Sequence, residues 1–408
     1  MIILAVGYLI VNVYVDNIAQ PLQGANVQVE GENTNINVLT NISGKTNQIE
    51  LSAPNVEYSL EPQTDIKPFS EYKITVTKFG MEPKVIEGVQ IFPEIVSTQN
   101  VFLNVQTSDV ETTNVETIDE PTLWEEYPPQ LENNEPTIYP KVLNKVIVPE
   151  YIVVHDGIPT NTSVPNYVVP FPDYVKNVAS SEIYPTWPYE TLKANIHAIV
   201  SFALNRIYTE WYLSKGYDFT ITSTTNYDQK YTPNRTIFNT ISDVVDEYFT
   251  NYLRYQNQNY PYLAHYSDGI DVVKNGWLSQ WGSKSLGDQG YNALQILKYY
   301  YGNDIIIDNA EVVALFPTSY PGYNLSIGAC GEEVQKLQNE LNKIHGSYPA
   351  IPLISNPNGI FDEQTASTVR SFQTVFDLPV TGIVDYATWY RISYIYSAIS
   401  NMLKGIFE

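Results

Sequence analysis

The chain has 408 residues, 43% of them hydrophobic, and carries 22 Lys+Arg against 45 Asp+Glu for a formal charge of −23. At roughly 100–200 residues per domain that length predicts several domains, and the acidity argues against a nucleic-acid partner, which needs a basic footprint. A single cysteine, Cys330, excludes an intramolecular disulfide framework and a multi-cysteine metal site. The four histidines (His155, His197, His265, His345) form no HExxH-type cluster, so neither a metal nor another cofactor is expected. Tyrosine outnumbers phenylalanine 33 to 14. An apolar ring with a polar tip suits wet grooves and sugar-like ligands.

The start, Met1–Val11, is apolar but lacks a basic flank and a small-residue cleavage site, so no secretory signal is expected. No run reaches the roughly 18–20 apolar residues of a membrane span. Residues 1–106 read as all-β. Leu9–Val15 is β-branched and apolar, while Ala25–Glu30 and Tyr72–Lys78 alternate with period two, and Val85–Ile91 follows. Short strands at this spacing predict a small sandwich.

Residues 107–145 change character. Nine acidic residues and no basic one lie between Asp109 and Glu135, among prolines at 121, 128, 129, 136 and 140. Such a segment buries too little apolar surface to offset its ordering entropy, and the expectation is an extended linker open to proteolysis.

Residues 146–318 form a central α+β block. A long helix is predicted from Glu190 to about Leu213, opened by Pro188 and striped by Leu192, Ile196, Ile199, Ala203 and Ile207. Glu190, His197, Ser201 and Tyr208 fall on its opposite face. A second helix is predicted over Asn292–Tyr301. Residues 319–408 contain an internal echo, Gly359–Thr365 against Gly382–Thr388, each with an Asp placed to cap a helix and a Thr three residues on. Helices over Glu332–Ile344, Thr365–Phe376 and Tyr386–Ser397 make a three-helix module. The whole is a multidomain α+β chain.

Several motifs carry family resemblances. Pro21–Glu30 (P-L-Q-G-A-N-V-Q-V-E) and Gly88–Pro93 (G-V-Q-I-F-P) resemble the carboxypeptidase-regulatory β-sandwich family. Leu325–Gly328, Gly331–Gln338, Phe372-Gln373 and the two Gly-x-x-Asp-x-x-Thr turns resemble the peptidoglycan-binding type 1 family, which implies Tyr386, Trp389 and Tyr390 as residues stacking on muropeptide; helix packing is the other reading of Trp389. Pro188–Ala198, Leu278–Gly282 and Gln289–Gly302 resemble the SpoIID/LytB family of lytic transglycosylases. The full order of parts resembles the SleC-type clostridial spore cortex-lytic enzymes. That resemblance implies a zymogen acting on cortex peptidoglycan at the cortex/coat boundary or in the cell wall. It also implies a germination protease that cuts near residues 141–148 and removes an N-terminal pro-domain. The zinc ligands of SpoIID itself are not matched: Tyr227 and Asp228 stand where His and Cys would be, while Gln229 and Tyr231 persist.

The resemblance assigns Glu190 as catalyst. One carboxyl suffices for a lytic transglycosylase, because it protonates the glycosidic oxygen and then takes the proton of the muramoyl C6 hydroxyl as an anhydro ring closes. A hydrolase ordinarily needs two carboxylates, for which Asp173 and Glu182 are unplaced candidates. Trp187 and Tyr189 stand ready to desolvate the acid, and Gln229, Tyr231, Ser279, Gln280 and Trp281 are candidate cleft residues. Two alternatives remain open: a wall-binding or coat-associated protein without activity, and an amidase or bifunctional hydrolase. Residues 1–145 hold 7 Lys+Arg and 20 Asp+Glu, so more than half of the excess negative charge lies in the part expected to be shed. Its loss would lessen repulsion from an anionic wall.

Overall fold

The computed structural model describes residues 5–15, 20–31, 33–62, 66–106, 113–122, 146–313 and 324–399. The alternating sequences of the N-terminal region build two five-stranded sheets, the first completed by Ile237–Phe238 of the central block. In the first, Ala5–Val15 pairs in parallel with Val96–Leu103 and antiparallel with Ile49–Ala53. The second runs Thr34–Leu39, Asn26–Gly31, Ser70–Thr77, Lys84–Ile91 and Asn114–Thr117. Leu9, Val11 and Val13 from one sheet share a core with Val27, Val29, Ile74, Val76 and Ile86 from the other. Period-two burial thus turns each strand's apolar side inward.

The structure differs from the sequence-based expectation of an unbroken linker over 107–145. Residues 107–112 and 123–145 lie outside the described residues, but Asn114–Thr117 is a strand paired in parallel with Lys84–Ile91. An edge strand adds through main-chain hydrogen bonds and needs few apolar side chains of its own; here Ile118 alone is buried. Gly88 (φ 80°) makes room for this segment, since a Cβ there would fall 2.6 Å from the Ile118 carbonyl oxygen.

Nor does the β region end at its own border. Val96–Leu103 pairs antiparallel with Ile237–Phe238 of the central block, and Phe69, Phe92 and Ile95 belong to the central hydrophobic core. That core is built around helix α2 (Tyr189–Tyr208), with α1 (Phe171–Glu182), α3 (Asn239–Tyr248), α4 (Gln280–Asp288) and α5 (Ala293–Tyr301) packed on it. The predicted helix ran on to about Leu213; it stops five residues earlier, and Glu210 beyond it adopts φ 46°. The expected polar face is also absent. His197, Ser201 and Tyr208 are all buried, because neighbours cover α2 on every side. Val146 is buried, and Ile147–Pro149 pairs in parallel with Glu311–Val313.

The C-terminal module contains α6 (Glu332–His345), α7 (Glu363–Val375) and α8 (Tyr386–Ile399). Its echo is structural. The Asp362 carboxylate accepts from the Thr365 amide at 2.8 Å, and Asp385 accepts from the Thr388 amide at 2.9 Å. Gln338 clamps the first turn, accepting from the Gly359 amide and donating to Thr365 Oγ1. Gln373 does the same with the Gly382 amide and Thr388 Oγ1. Arg391 joins the module to the central block through Asp173 at 2.8 Å, and Lys45 of the β region reaches Asp377 at 2.8 Å.

Candidate functional site

Among the described residues, the carboxyl whose pKa is raised furthest closes helix α1. Glu182 is fully buried. Its Oε2 accepts from the Tyr266 hydroxyl at 2.6 Å and its Oε1 from the Lys230 amide at 2.7 Å. Burial pushes its pKa up to about 8, with those two hydrogen bonds pulling the other way. The carboxyl is therefore held as the acid at neutral pH. Behind it, the Gln229 side-chain amide donates to Tyr266 Oη at 2.9 Å, and Tyr174 donates to Gln229 Oε1 at 3.0 Å. Gln280 donates to the Glu182 carbonyl at 3.3 Å. The Tyr266 hydroxyl and the Lys230 main chain thus hold the carboxyl, with Gln229, Tyr174 and Gln280 fixing its surroundings, which is the arrangement of a tuned proton donor.

Two residues on from this acid, Tyr184 opens an aromatic wall. Trp187 packs on Trp281 with ring centroids 5.0 Å apart, and Tyr184 meets both rings edge-on. Trp187 faces the β region, since its indole N–H donates to the Ser59 carbonyl at 2.9 Å and the ring is buried. The structure therefore places the sequence-predicted Gln229 and Gln280 in the hydrogen-bond network of Glu182 and packs Trp187 against Trp281. Tyr231 stacks on Tyr174 at 6.0 Å in the same network. Ser279 caps α4 by accepting from the Gly282 amide at 2.9 Å.

Glu190 makes a different set of contacts. It is partly exposed in the first turn of α2, and its Oε2 accepts from the Ala293 amide at 2.6 Å, which satisfies a free donor at the start of α5. Tyr189 is 48% exposed and donates to Glu247 at 3.0 Å. Trp389 is buried among the C-terminal helices. The side chains of Tyr386 and Tyr390 lie outside the described residues.

The stretch in which the resemblance would place metal ligands is organised by an ion pair. Arg206 Nε meets Asp228 Oδ1 at 2.8 Å, and both side chains are fully buried. Asp228 also accepts from the Tyr212 hydroxyl at 2.6 Å, the Thr222 amide at 2.9 Å and Thr222 Oγ1 at 2.8 Å. A carboxylate so saturated has no lone pair to spare for a cation. Among the described residues no group of three His, Cys, Asp or Glu side chains is placed to hold a metal ion. His197 Nδ1 donates to the Lys193 carbonyl at 2.6 Å, and burial lowers its pKa to about 4, as it lowers that of His265 to about 3.

Sequence reasoning left Glu182 unplaced and passed over Tyr266 and Lys230. The helix that ends in Glu182 does have a readable signal, with apolar residues at 171, 174, 175, 178 and 179 at helical spacing.

Comparison with known proteins gives two family matches. Residues 161–255 match the Stage II sporulation protein family, SpoIID, and residues 330–392 match the peptidoglycan binding domain family. The chain therefore carries both domains and fits association with the cell wall, and the second domain supports peptidoglycan as a partner. No curated protein matches. Among solved structures, the N-terminal domain of SleB aligns at 27% identity over 99% of that chain and 19% of this one, with a TM-score of 0.17. A mutant type II cohesin–X-dockerin complex from Acetivibrio cellulolyticus aligns at 14% identity over 56% of that chain and 24% of this one, with a TM-score of 0.16. No helix among the described residues is long and apolar enough to cross a membrane.

Proposed function

We propose that this chain is a lytic transglycosylase of peptidoglycan, a SleC-type spore cortex-lytic enzyme made as a zymogen, with Glu182 as its proton-transfer group. The carrying observation is the Glu182 carboxyl, held protonated in an apolar, hydrogen-bonded site inside the SpoIID-matching segment. A donor must be protonated at working pH and must then serve as a base once it has given up its proton. Glu182 meets both demands. It is an acid at pH 7, and Tyr266 and the Lys230 amide stabilise the carboxylate that donation leaves. That carboxylate would take the proton of the muramoyl C6 hydroxyl as its oxygen closes on C1. The C-terminal module supplies affinity for the polymer. A protease acting in the segment before Val146 would release the β region.

Glu190 is the second reading for the acid, favoured by its partial exposure at the start of α2. In that case Glu182 would be structural. Wall digestion by Glu182→Gln and Glu190→Gln, with the released fragments weighed, separates the two. We expect Glu182→Gln to abolish release and Glu190→Gln to retain it. Products without the anhydro end would sink the transglycosylase chemistry, and would favour a hydrolase or amidase. The non-catalytic reading draws on the complete burial of Glu182. Sedimentation with sacculi without any release of muropeptide, even after proteolysis, would favour it.

A further inference from the structure

The β region does more than adjoin Glu182. After its last strand the chain crosses the central block as a short strap, Asp119–Thr122. The Thr122 amide donates to the Ser181 carbonyl at 2.9 Å, one residue before the buried acid. The Lys230 ammonium reaches the Glu120 carbonyl at 2.9 Å and the Thr122 hydroxyl at 2.6 Å, while the amide of the same Lys230 holds the Glu182 carboxyl. The buried Arg235 guanidinium donates to the Asp119 carbonyl at 2.6 Å and to Gln90 Oε1 at 2.7 Å. The strap is itself anchored to the β region. Lys67 pairs with the Glu120 carboxylate at 2.6 Å, and the Gln90 amide donates to the Asp119 carbonyl at 3.3 Å.

Both cations, Lys230 and Arg235, thus bond oxygens of a segment that the zymogen reading removes, Arg235 also keeping the Ser180 carbonyl of the central block at 2.8 Å. An ammonium and a guanidinium that lose such partners take carboxylates in preference to neutral groups. We propose that Asp119–Thr122 occupies a subsite for the anionic peptide stems of the wall polymer, its carbonyl oxygens standing where stem carboxylates are held by Lys230 and Arg235. This rests on the transglycosylase reading for its placement, but its test is binding rather than turnover. The strap is then both the seal over Glu182 and a stand-in for the ligand.

The test uses the full chain and a soluble disaccharide-peptide as probe. Glu120→Lys with Thr122→Pro removes the anchor, the amide donor and the hydroxyl together; Thr122→Ser is the conservative control. The C-terminal module contributes equally to probe binding in all of them. The double variant is expected to bind the probe about tenfold more tightly than the wild type, the scale of one lost hydrogen-bonded contact to a charged group. Exchange of the Lys230 amide should accelerate by a similar factor. Lys230→Met on that background should return affinity to the wild-type level. Accelerated exchange with unchanged affinity would overturn the subsite, and unchanged exchange in a folded variant would overturn the seal. Should the double variant fail to fold, Lys67→Ala with Thr122→Val loosens the same strap without altering the main chain and is read identically. A gain in affinity without any wall cleavage, even after the N-terminal fragment has been cut off and removed, would defeat the transglycosylase reading and leave the subsite standing.

Discussion

A buried acid at the end of α1 has a measurable thermodynamic signature. The pKa of Glu182 rises from 4.5 to about 8 through burial. Below pH 4.5 the folded and unfolded chains both hold the proton, and the group costs nothing. Between there and about pH 8 the unfolded chain releases it while the folded chain retains it, so stability falls as pH rises. At about 1.4 kcal/mol per pH unit the loss reaches roughly 3 kcal/mol by pH 7 and about 5 kcal/mol above pH 8. Glu182→Gln keeps an acceptor for Tyr266 or Lys230 and never ionises, so this dependence vanishes from the variant. His197 and His265 act with the opposite sign. Their lowered pKa values make stability rise with pH up to about 6.5, so wild-type curves alone would mask the effect. The difference between wild type and variant isolates Glu182. Urea unfolding from pH 5 to pH 8, followed by the fluorescence of the packed Trp187 and Trp281, measures it. We expect the variant to gain about 3–4 kcal/mol on the wild type across that range. Parallel curves would show that Glu182 is ionised in the folded chain and would remove the argument for it as proton donor.

Two further outcomes follow from the same block. Asp228→Asn leaves the Arg206 cation buried without its carboxylate and should cost about 3–5 kcal/mol in chemical unfolding; the melting temperature of the wild type should be indifferent to chelators, since Asp228 is already saturated. Tyr266→Phe removes the hydroxyl that donates to Glu182 and accepts from Gln229. It should destabilise by about 1–3 kcal/mol and carry the Glu182 titration further upward in the same wild-type-minus-variant comparison, whereas an unchanged titration would separate Tyr266 from the acid.

What the sequence made legible was whatever a local pattern determines. Period-two runs located Ala25–Glu30 and Tyr72–Lys78 as strands, and the Gly-x-x-Asp-x-x-Thr echo located two helix caps that the structure builds with the same Asp and Thr roles. Helix α4 was not legible, since Gly282 and Gly287 depress its propensity and packing decides it. The site resisted for a different reason. Glu182 owes its burial and its partners to Lys230 and Tyr266, 48 and 84 residues further on, and no window on the chain holds all three. The acidic segment misled in the other direction. Its composition predicts a linker, yet Asn114–Thr117 needs only main-chain groups to join a sheet edge, and Ile118 supplies the one buried anchor.

The way the β region is joined bears on how a zymogen of this design could be switched on. Phe69, Phe92 and Ile95 lie in the central core, and these side chains contribute roughly 5–9 kcal/mol together. Val96–Leu103 continues into a ladder with Ile237–Phe238. Thr186 meets Ser59 at 2.7 Å, Lys284 donates to the Leu60 carbonyl at 2.8 Å, and Gln99 bonds both Asn234 and Thr236. Hydrogen bonds of this kind add about 1 kcal/mol each. Even after the ordering cost of association, the two pieces of a cut chain should hold together at about micromolar concentration. A single cut in the segment before Val146 therefore leaves the strap on Ser181 and Lys230, and Glu182 covered. Activation on this reading requires that the fragment be lost as well as cut, through further proteolysis or capture by another surface. Gel filtration of the chain cut once in that segment, at about 1 µM and moderate salt, tests the point. Co-elution of both pieces with wall-cutting still silent is expected, and activity appearing in the co-eluting complex would refute the coupling between release of the strap and exposure of the acid.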